Sequence, residues 1–419
     1  MNPRAQPPGL SRRSFLGRVA GAGVAASGLG TLLTSCGLGS AAPKRPSPLP
    51  DPKSPVMWPI AAANQSIAGG QRPEANATLK VFGWAGRVGE RCLDDFSRAY
   101  RCRVELTTYS SMTQALARVS RGGDRFDVFM GAPTYLIGIL VARSIIQPLN
   151  HGYIPNIREA WPVYTNPYYD SHWQYTVPYT AYTTGIAWRK DHIDIDPYAL
   201  PNGWQFPWLA NAAGKTAILD DYRESIGLAM LDNFVTDINS SDPLMINNAR
   251  DALLNLDSLV GPSIDNNVST KLATTQSWIH HAWSGQAVAA TKRLPRGVPV
   301  EVIGYWFPPD GAGPVANDTS TVLRAARNPV LAHKFLNFML DRRNAMHNMA
   351  ATGFTMPLTY ASVSRLIYHG ILPPSLTSAA VVSTFWDHGF KELQLLPAVD
   401  MLWRQAWNVV RRDSSRSGS

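Results

Sequence analysis

The fold is indicated most clearly by residues 79–106, LKVFGWAGRVGERCLDDFSRAYRCRVEL. Within this stretch, residues 79–84 form a short apolar run that predicts a buried strand. Residues 88–100 place apolar side chains on one side of a helical repeat, and residues 103–106 alternate as a second strand. A strand, a helix and a further strand in this order predict an α/β domain with a mainly parallel sheet.

The alternation of strands and helices continues along the chain. Two extended segments, at 173–178 and 184–188, precede a second α/β region. The further predicted helices are 112–121, 134–143, 223–231, 249–259 and 329–340, and the further predicted strands are 126–130, 216–219 and 300–303. The fold class that we predict is therefore α/β.

The composition is that of a folded protein with unusual ends. Of its 419 residues, 45% are hydrophobic and 16% are charged, which argues against overall disorder. The net charge of +9 arises almost entirely from residues 1–75 and from the tail after Val410, so that residues 76–410 are nearly neutral. We therefore expect no nucleic-acid partner.

The N-terminus carries the pattern of an export signal. Paired arginines at 12–13 precede a mild apolar stretch at 19–33, which is shorter than the roughly 20 residues that span a membrane. This pattern predicts a signal peptide of the twin-arginine type over residues 1–35. Residues 33–37, LTSCG, resemble a lipobox. We therefore predict lipidation of Cys36 and anchoring at the outer face of the cytoplasmic membrane, in the periplasm.

The segment after the signal is rich in proline. Seven prolines lie between residues 43 and 59, with alanine, serine and glycine around them. Such a composition predicts a semi-stiff spacer over residues 36–75 rather than a folded element. The polar residues 411–419 are expected to form a flexible tail.

The sequence contains no motif for a cofactor, a metal or a catalytic nucleophile. Residues 213–216, AGKT, lack the earlier glycine that a phosphate loop needs. The adjacent His280 and His281 face in different directions, so they do not form a ligand pair. The spacing of Cys92 and Cys102 favours two buried thiols over a disulfide. We expect no cofactor, no metal and no catalytic residue.

Two clusters remain as candidates for binding. Tyr168 and Tyr169 could chelate ferric iron, although aromatic packing is the favoured interpretation. Residues 220–224, DDYRE, follow a strand and begin a helix, so Asp221 and Glu224 lie on one side of its first turn. Carboxylates at this position are also ordinary helix caps, and the spacing alone leaves both interpretations open.

Seven short motifs together carry a resemblance to a known family. They are FGW (82–84), FDV (126–128), PTY (133–135), VPY (177–179), LDDYRE (219–224), AWSG (282–285) and GFTMP (353–357). Through them the chain resembles the spermidine/putrescine-binding proteins of ABC importers, which have the type II periplasmic-binding-protein fold. The resemblance implies two lobes, 76–180 plus 316–368 and 185–312 plus 370–410, with the ligand in the cleft between them.

The resemblance also implies a set of ligand-binding residues. In this family carboxylates hold the protonated amines and aromatic rings clamp the methylene chain. Asp221 and Glu224 match the pair that grips one amine, and Asp318 matches the carboxylate of the central amine. The other matching positions are Trp283, Gln394, Trp84 and Thr134.

The sequence departs from the family pattern at three places. Ala316 stands where the family has a tryptophan, and Phe354 stands where it has a tyrosine. Residues 85–87 replace a turn that usually contains an acid. Arg87 is expected to bring positive charge near the mouth of the cleft, which opposes a polycation.

These observations predict a monomeric, exported solute-binding lipoprotein that feeds an ABC permease and its cytoplasmic ATPase. The predicted ligand is a polyamine or a related cationic amine. The alternative is the same receptor with another small polar solute, such as a sugar. A remote alternative is an exported enzyme that uses Asp221 and Glu224 as acid and base.

Overall fold

The residues that carry the site lie on and around a single mixed sheet. The computed structural model describes residues 49–121 and 125–417. Their strands are β1 (Thr78–Trp84), β2 (Arg103–Tyr109), β3 (Val128–Pro133), β4 (Val177–Arg189), β5 (Thr216–Ile218), β6 (Ser263–Ile264), β7 (Ile279–Trp283), β8 (Ile303–Trp306) and β9 (Val315–Val322). The order across the sheet is β2-β1-β3-β9-β4-β7-β5-β6, with β8 paired to β4.

Helices cover the faces of this sheet. Within the described chain they are α1 (Glu90–Tyr100), α2 (Met112–Arg121), α3 (Ile137–Ala142), α4 (Tyr222–Asp232), α5 (Pro243–Val260), α6 (Val268–Ala273), α7 (Ser284–Thr291), α8 (Pro329–Met339), α9 (Arg342–Thr352), α10 (Val363–Tyr368), α11 (Ser383–His388) and α12 (Pro397–Ser417). None of these helices is both long enough and apolar enough to cross a membrane.

Strand β4 connects the two halves of the sheet. Its first part, up to Thr183, pairs antiparallel with β9, and its second part, from Thr184, pairs antiparallel with β7 and β8. The outer strands pair in parallel, β1 with β2 and β3, and β5 with β6 and β7. The prediction of a mainly parallel sheet is therefore correct for the two outer parts and wrong for the centre.

The sequence divided β4 incorrectly into two extended segments. All 13 residues of β4 are buried, including the polar stretch that appeared to interrupt it. Thr180 and Thr183 are accommodated because their hydroxyls form hydrogen bonds, with Asp318 at 3.2 Å and with the Tyr305 hydroxyl at 2.9 Å. A buried strand of this kind shows no alternation, so its polar residues resemble a loop.

Three other predicted boundaries also need correction. The predicted strand at 300–303 is a short 3-10 turn followed by β8, which begins at Ile303. The predicted helix at 249–259 begins six residues earlier, at Pro243, because Asp242 caps α5 by accepting from the Leu244 backbone N–H at 2.8 Å. The tail expected to be flexible from residue 411 continues α12 to Ser417.

The proline-rich segment is not a free spacer where the structure describes it. Val56 and Trp58 are buried, and the Trp58 indole N–H donates to the Tyr169 carbonyl at 2.8 Å. The Glu74 carboxylate accepts from the first backbone N–H groups of α8, at Val330 and Leu331. The prediction that residues 36–75 form a spacer rather than a folded element is therefore wrong for the described part that contains Val56, Trp58 and Glu74, while the predicted signal peptide and Cys36 lie outside the described residues.

Trp58→Ala is expected to lower the free energy of unfolding by about 2 kcal/mol. The value is below the ~3–5 kcal/mol of a core tryptophan because the segment can detach while the body stays folded. Met57→Ala is the matched control, since the Met57 side chain is exposed. Urea denaturation followed by circular dichroism checks both variants, and equal losses would show that the segment does not depend on Trp58.

The two side-chain groups considered for metal binding lie in the core. His280 and His281 are both buried on β7, and burial lowers the pKa of His281 to about 3. Tyr168 and Tyr169 are also buried, with Tyr168 stacked on Trp386. In the described part of the chain, no three or more histidine, cysteine or acidic side chains are placed to hold one metal ion.

The two described cysteines are free thiols. Cys92 is buried in α1 and Cys102 is partly buried, as expected for residues that do not form a disulfide. Burial raises the pKa of the Cys92 thiol to about 11, so it stays protonated and unreactive at neutral pH.

Candidate ligand-binding site

Most of the predicted site residues converge where β4 passes between the two lobes. Trp84 is the last residue of β1, Trp283 is the last residue of β7, and Asp318 lies in β9. The two tryptophans come from opposite lobes and meet edge to face, with ring centroids 5.5 Å apart. Side chains from both halves of the sheet therefore form one site.

Asp318 lies at the centre of this site and is paired with a cation of the protein itself. The Arg87 Nη1 donates to Asp318 Oδ2 at 2.9 Å, and both side chains are buried. The hydroxyls of Thr180 and Tyr182 also donate to Asp318, at 3.2 and 3.3 Å. Burial raises the pKa of Asp318, and the Arg87 charge opposes that rise.

Four aromatic rings surround the Arg87 guanidinium. Its central carbon lies 3.6 Å from the ring centroid of Phe354, 4.8 Å from Tyr182, 5.2 Å from Trp283 and 5.9 Å from Trp84. Rings at these distances attract a cation, and the attraction grows when water is excluded. We call these four rings and Asp318 the aromatic cage.

The structure corrects the predicted position of Arg87. It is not near the mouth of the cleft but only 2% exposed, inside the cage. The cage is also fuller than the sequence suggested, because Tyr182 contributes a ring that sequence reasoning missed. Gly285 lets Phe354 approach, since a Cβ there would lie 2.4 Å from the Phe354 ring.

A second cluster, formed by carboxylates, lies next to the aromatic cage, and Trp283 contacts both. The Trp283 indole N–H donates to Glu224 Oε1 at 2.6 Å, and the Thr184 hydroxyl donates to the same oxygen at 3.1 Å. Asp221 lies at the start of the same helix, α4, where it is partly buried. Burial, and then the charges of Glu392 and Asp221, raise the pKa of Glu224 well above its usual value.

Asp221 is both a helix cap and a member of this cluster. Its Oδ1 accepts from the backbone N–H groups of Arg223 and Glu224, at 2.9 and 3.4 Å. The helix-cap interpretation is therefore confirmed, and a binding role for Asp221 stays a prediction. Burial raises the pKa of Asp221 despite these hydrogen bonds.

Glu392 completes the cluster and was missed by the sequence analysis. Burial raises its pKa to about 7, while the Arg223 charge opposes that rise and the Asp221 and Asp318 charges add to it. It lies in an irregular segment between α11 and α12, two residues before Gln394. No periodic pattern marks such a segment, so only its contacts in three dimensions identify it.

The three carboxylates of this cluster have no cationic partner in direct contact. Within residues 49–121 and 125–417, no lysine or arginine forms an ion pair with Asp221, Glu224 or Glu392. The nearby Arg223 is used elsewhere, since its Nη atoms donate to Leu393 O, Ile238 O and Asn239 Oδ1. The carboxylate cluster therefore has no direct ion-pair partner among the described residues, and the Arg223 charge offsets only part of the effect of burial on Asp221 and Glu392.

Two predicted site residues lie beside the cluster rather than in it. The Thr134 hydroxyl is buried and lies 3.4 Å from the Tyr168 hydroxyl. The Gln394 Oε1 is buried without a hydrogen-bond partner in the described chain, next to α3 at Gly138. Tyr135 lies close to Asp221 and Glu392. Burial is the main cause of the raised pKa of its hydroxyl, and the charges of these two carboxylates raise it further.

A groove of about 1040 Å³ lies next to this site. Asp221 and Tyr135 are among its lining residues, together with polar side chains of both lobes. Two hydrogen bonds cross the groove: the Asn266 amide donates to Ser110 O, and Arg404 Nη1 donates to Thr113 Oγ1, both at 3.3 Å. The lobes are thus in contact along the rim of the groove.

Comparison with known proteins identifies the family. Residues 92–365 match the model of the family described as bacterial extracellular solute-binding protein, and the chain belongs to this family. It is similar to spermidine/putrescine-binding periplasmic protein 1 of Haemophilus influenzae, with 26% identity over 282 residues, which are 67% of this chain and 75% of the relative. It is also similar to the putrescine/cadaverine-binding protein of Pseudomonas aeruginosa, with 25% identity over 296 residues, 68% of this chain and 82% of the relative.

A solved structure confirms the architecture. The chain is similar to a putative spermidine/putrescine ABC transporter protein from Listeria monocytogenes, with a TM-score of 0.69 and 20% identity over 80% of this chain and 99% of that chain. This protein is thus a solute-binding protein with the two-lobe fold of the periplasmic binding proteins, as the sequence motifs predicted.

Proposed function

We propose that this protein is the receptor of an ABC importer for a polyamine-like cationic amine. The observation that carries the proposal is the carboxylate cluster of buried Glu224 and partly buried Asp221 and Glu392, which has no ion-pair partner among the described residues. The relatives named for spermidine, putrescine and cadaverine support the same ligand class.

The physical argument rests on the cost of burying charge. An ionised carboxylate away from water is costly unless it is paired, so the three groups raise their pKa values instead. A protonated amine between them supplies the missing charge and can donate to more than one carboxylate. The face of Trp84 or Trp283 adds an apolar wall for the methylene chain. A neutral sugar would leave the carboxylates without a partner.

The function is tested by thermal unfolding of the purified protein with putrescine, spermidine, spermine, sugars and amino acids. A ligand at 100 times its Kd stabilises the folded state by about 2.7 kcal/mol, which is a readable rise in Tm. We expect the rise with amines alone. A rise with a sugar and none with amines would replace the ligand assignment, and turnover of a ligand would revive the enzyme alternative.

Amine binding is expected to weaken as the pH falls below about 7. The raised pKa of Glu392, about 7, means that the free site holds a proton that amine binding must release. An alkylamine stays charged throughout this range, since its pKa is about 10. The Glu392 proton alone lowers the affinity by up to about tenfold per pH unit below 7, and the raised pKa of Glu224 adds to this loss.

The raised pKa of Glu392 also makes the stability of the ligand-free protein depend on pH, in the direction opposite to that of amine binding. Because the folded state holds a proton that the unfolded state has lost, stability without ligand decreases as the pH rises from about 4.5 to 7. Titrations at pH 5.5, 6.5 and 7.5, with Tm measured in parallel, check both directions. An affinity that does not change over this range would contradict the role of the carboxylates.

We also propose the location and partners that follow from this role. The twin-arginine-type signal at 1–35 would export the protein, Cys36 would anchor it, and a permease with its ATPase would receive the ligand. The lobes would be 76–180 plus 316–368 and 185–312 plus 370–410, in a monomer. Cys36→Ser is expected to move the protein from the membrane fraction to the soluble fraction, and an unchanged distribution would contradict the anchor.

A further inference from the structure

We propose that Arg87 determines ligand specificity by permanently filling one of two cation sites in the cleft, so that the ligand is a short monoamine or diamine rather than an extended triamine. The inference rests on the proposed function, because it takes the carboxylate cluster to be the site that the ligand fills. Arg87 lies in the turn where the resembled family usually has an acid. The names of the relatives say nothing about this position.

The aromatic cage has the construction of a cation site. It combines a buried carboxylate, Asp318, with four ring faces or edges around one point. The guanidinium of Arg87 occupies that point, with the Phe354 ring 3.6 Å away. Contact at this distance leaves no room for a second cation between the ring and the arginine.

Arg87 is held in the cage by its backbone. Its carbonyl accepts from the Tyr179 hydroxyl at 2.5 Å and from the Asn348 amide at 3.4 Å. The Asn348 Oδ1 in turn accepts from the Gly89 N–H at 2.8 Å. Gly86, with φ of +74°, makes the turn that directs Arg87 inward. The residue is therefore positioned by the fold and does not need a ligand to place it.

The cage filled by Arg87 and the unpaired carboxylates are immediate neighbours. Trp283 belongs to both, since its ring contacts the Arg87 guanidinium while its indole N–H donates to Glu224. A long polyamine bound at the carboxylate cluster would extend a further ammonium group toward Arg87. That group would meet a like charge and would find Asp318 already paired.

A compact cation avoids this conflict. One or two ammonium groups can be balanced by Asp221, Glu224 and Glu392 alone, without entering the cage. The substrate class assigned by this geometry is a short alkyl amine that carries one or two positive charges, and putrescine is a suitable probe.

The test is isothermal titration of putrescine and spermidine into the wild-type protein and into Arg87→Ala. The wild-type protein is expected to bind putrescine at least about tenfold more tightly than spermidine, a difference of about 1.4 kcal/mol. Arg87→Ala frees Asp318 for a third ammonium, so this preference is expected to fall by about tenfold or to reverse. Arg342→Ala is the matched control, because Arg342 packs on the Tyr360 ring outside the cleft and its loss leaves the preference unchanged.

The outcomes separate this inference from the proposed function. A wild-type protein that binds spermidine more tightly than putrescine overturns the inference, whether or not Arg87→Ala folds. Amine binding with the same preference in both proteins also overturns it, while the proposed function stands. If the wild-type protein binds no amine and Arg87→Ala binds spermidine, the proposed function fails and the occupancy of the cage by Arg87 is supported. No amine binding by either protein overturns both.

Discussion

Glu224→Gln is expected to weaken putrescine binding by roughly 30-fold or more. Removing the charge of one partner in a buried, hydrogen-bonded ion pair costs about 2–5 kcal/mol of binding energy, and about 1.4 kcal/mol corresponds to a factor of ten. Glutamine keeps the size of the side chain and an oxygen that accepts from Trp283 and Thr184. The lost affinity therefore reports the charge and not the packing.

The measurement is isothermal titration at pH 7.5, with thermal unfolding of each variant in parallel. The free Glu224→Gln protein is expected to be no less stable than the wild-type protein, because it loses a charge repelled by Asp221 and Glu392. Glu301→Gln is the matched control, since it makes the same change at an exposed carboxylate. Equal putrescine affinity in all three proteins would remove Glu224 from the site.

Asp318→Asn is expected to destabilise the folded protein by about 3–5 kcal/mol. The substitution leaves the buried Arg87 guanidinium without its ion-pair partner. Asparagine retains one oxygen, which can keep the hydrogen bond from Thr180 or the one from Tyr182 but not both, because the two hydroxyls donate to different oxygens of Asp318.

Urea denaturation checks this second prediction. The double variant Arg87→Met and Asp318→Asn is expected to recover much of the loss, because the lone cation is removed and an apolar side chain fills its place. Asp95→Asn is the control at the surface, where the ion pairs with Arg91 and Arg98 are expected to contribute less than about 1 kcal/mol. Asp318→Asn with the stability of the wild-type protein would show that the buried pair does not stabilise the fold.

The outer parts of the fold could be predicted from the sequence because their signals are local. The run at 79–84 and the helix that follows it depend on apolar spacing within one element, and both are observed as β1 and α1. Strand β4 could not be predicted as one element, since its central polar residues are satisfied only by partners far along the chain. Thr180 donates to Asp318 and Thr183 to Tyr305, each more than a hundred residues away.

Some residues of the candidate site could be predicted from the sequence and others could not, again because only some of them have a local signal. Asp221 and Glu224 were predicted as a pair because they share one helical turn, and Asp318 was predicted only through the family resemblance. Arg87 was expected at the mouth of the cleft because it lies in the turn after the first strand, where the family usually has an acid. Its burial depends on a carboxylate 231 residues away, which no local pattern reveals.

The most direct measurement is a titration of the purified protein with putrescine and with 1,4-butanediol, which has the same chain length and no charge. We expect putrescine to bind, with an affinity that falls as salt is added, and we expect the diol not to bind or compete. This result would show that the carboxylates between the lobes recognise a cation. Diol binding as tight as that of putrescine, or no binding of putrescine at any concentration up to the millimolar range, would contradict it.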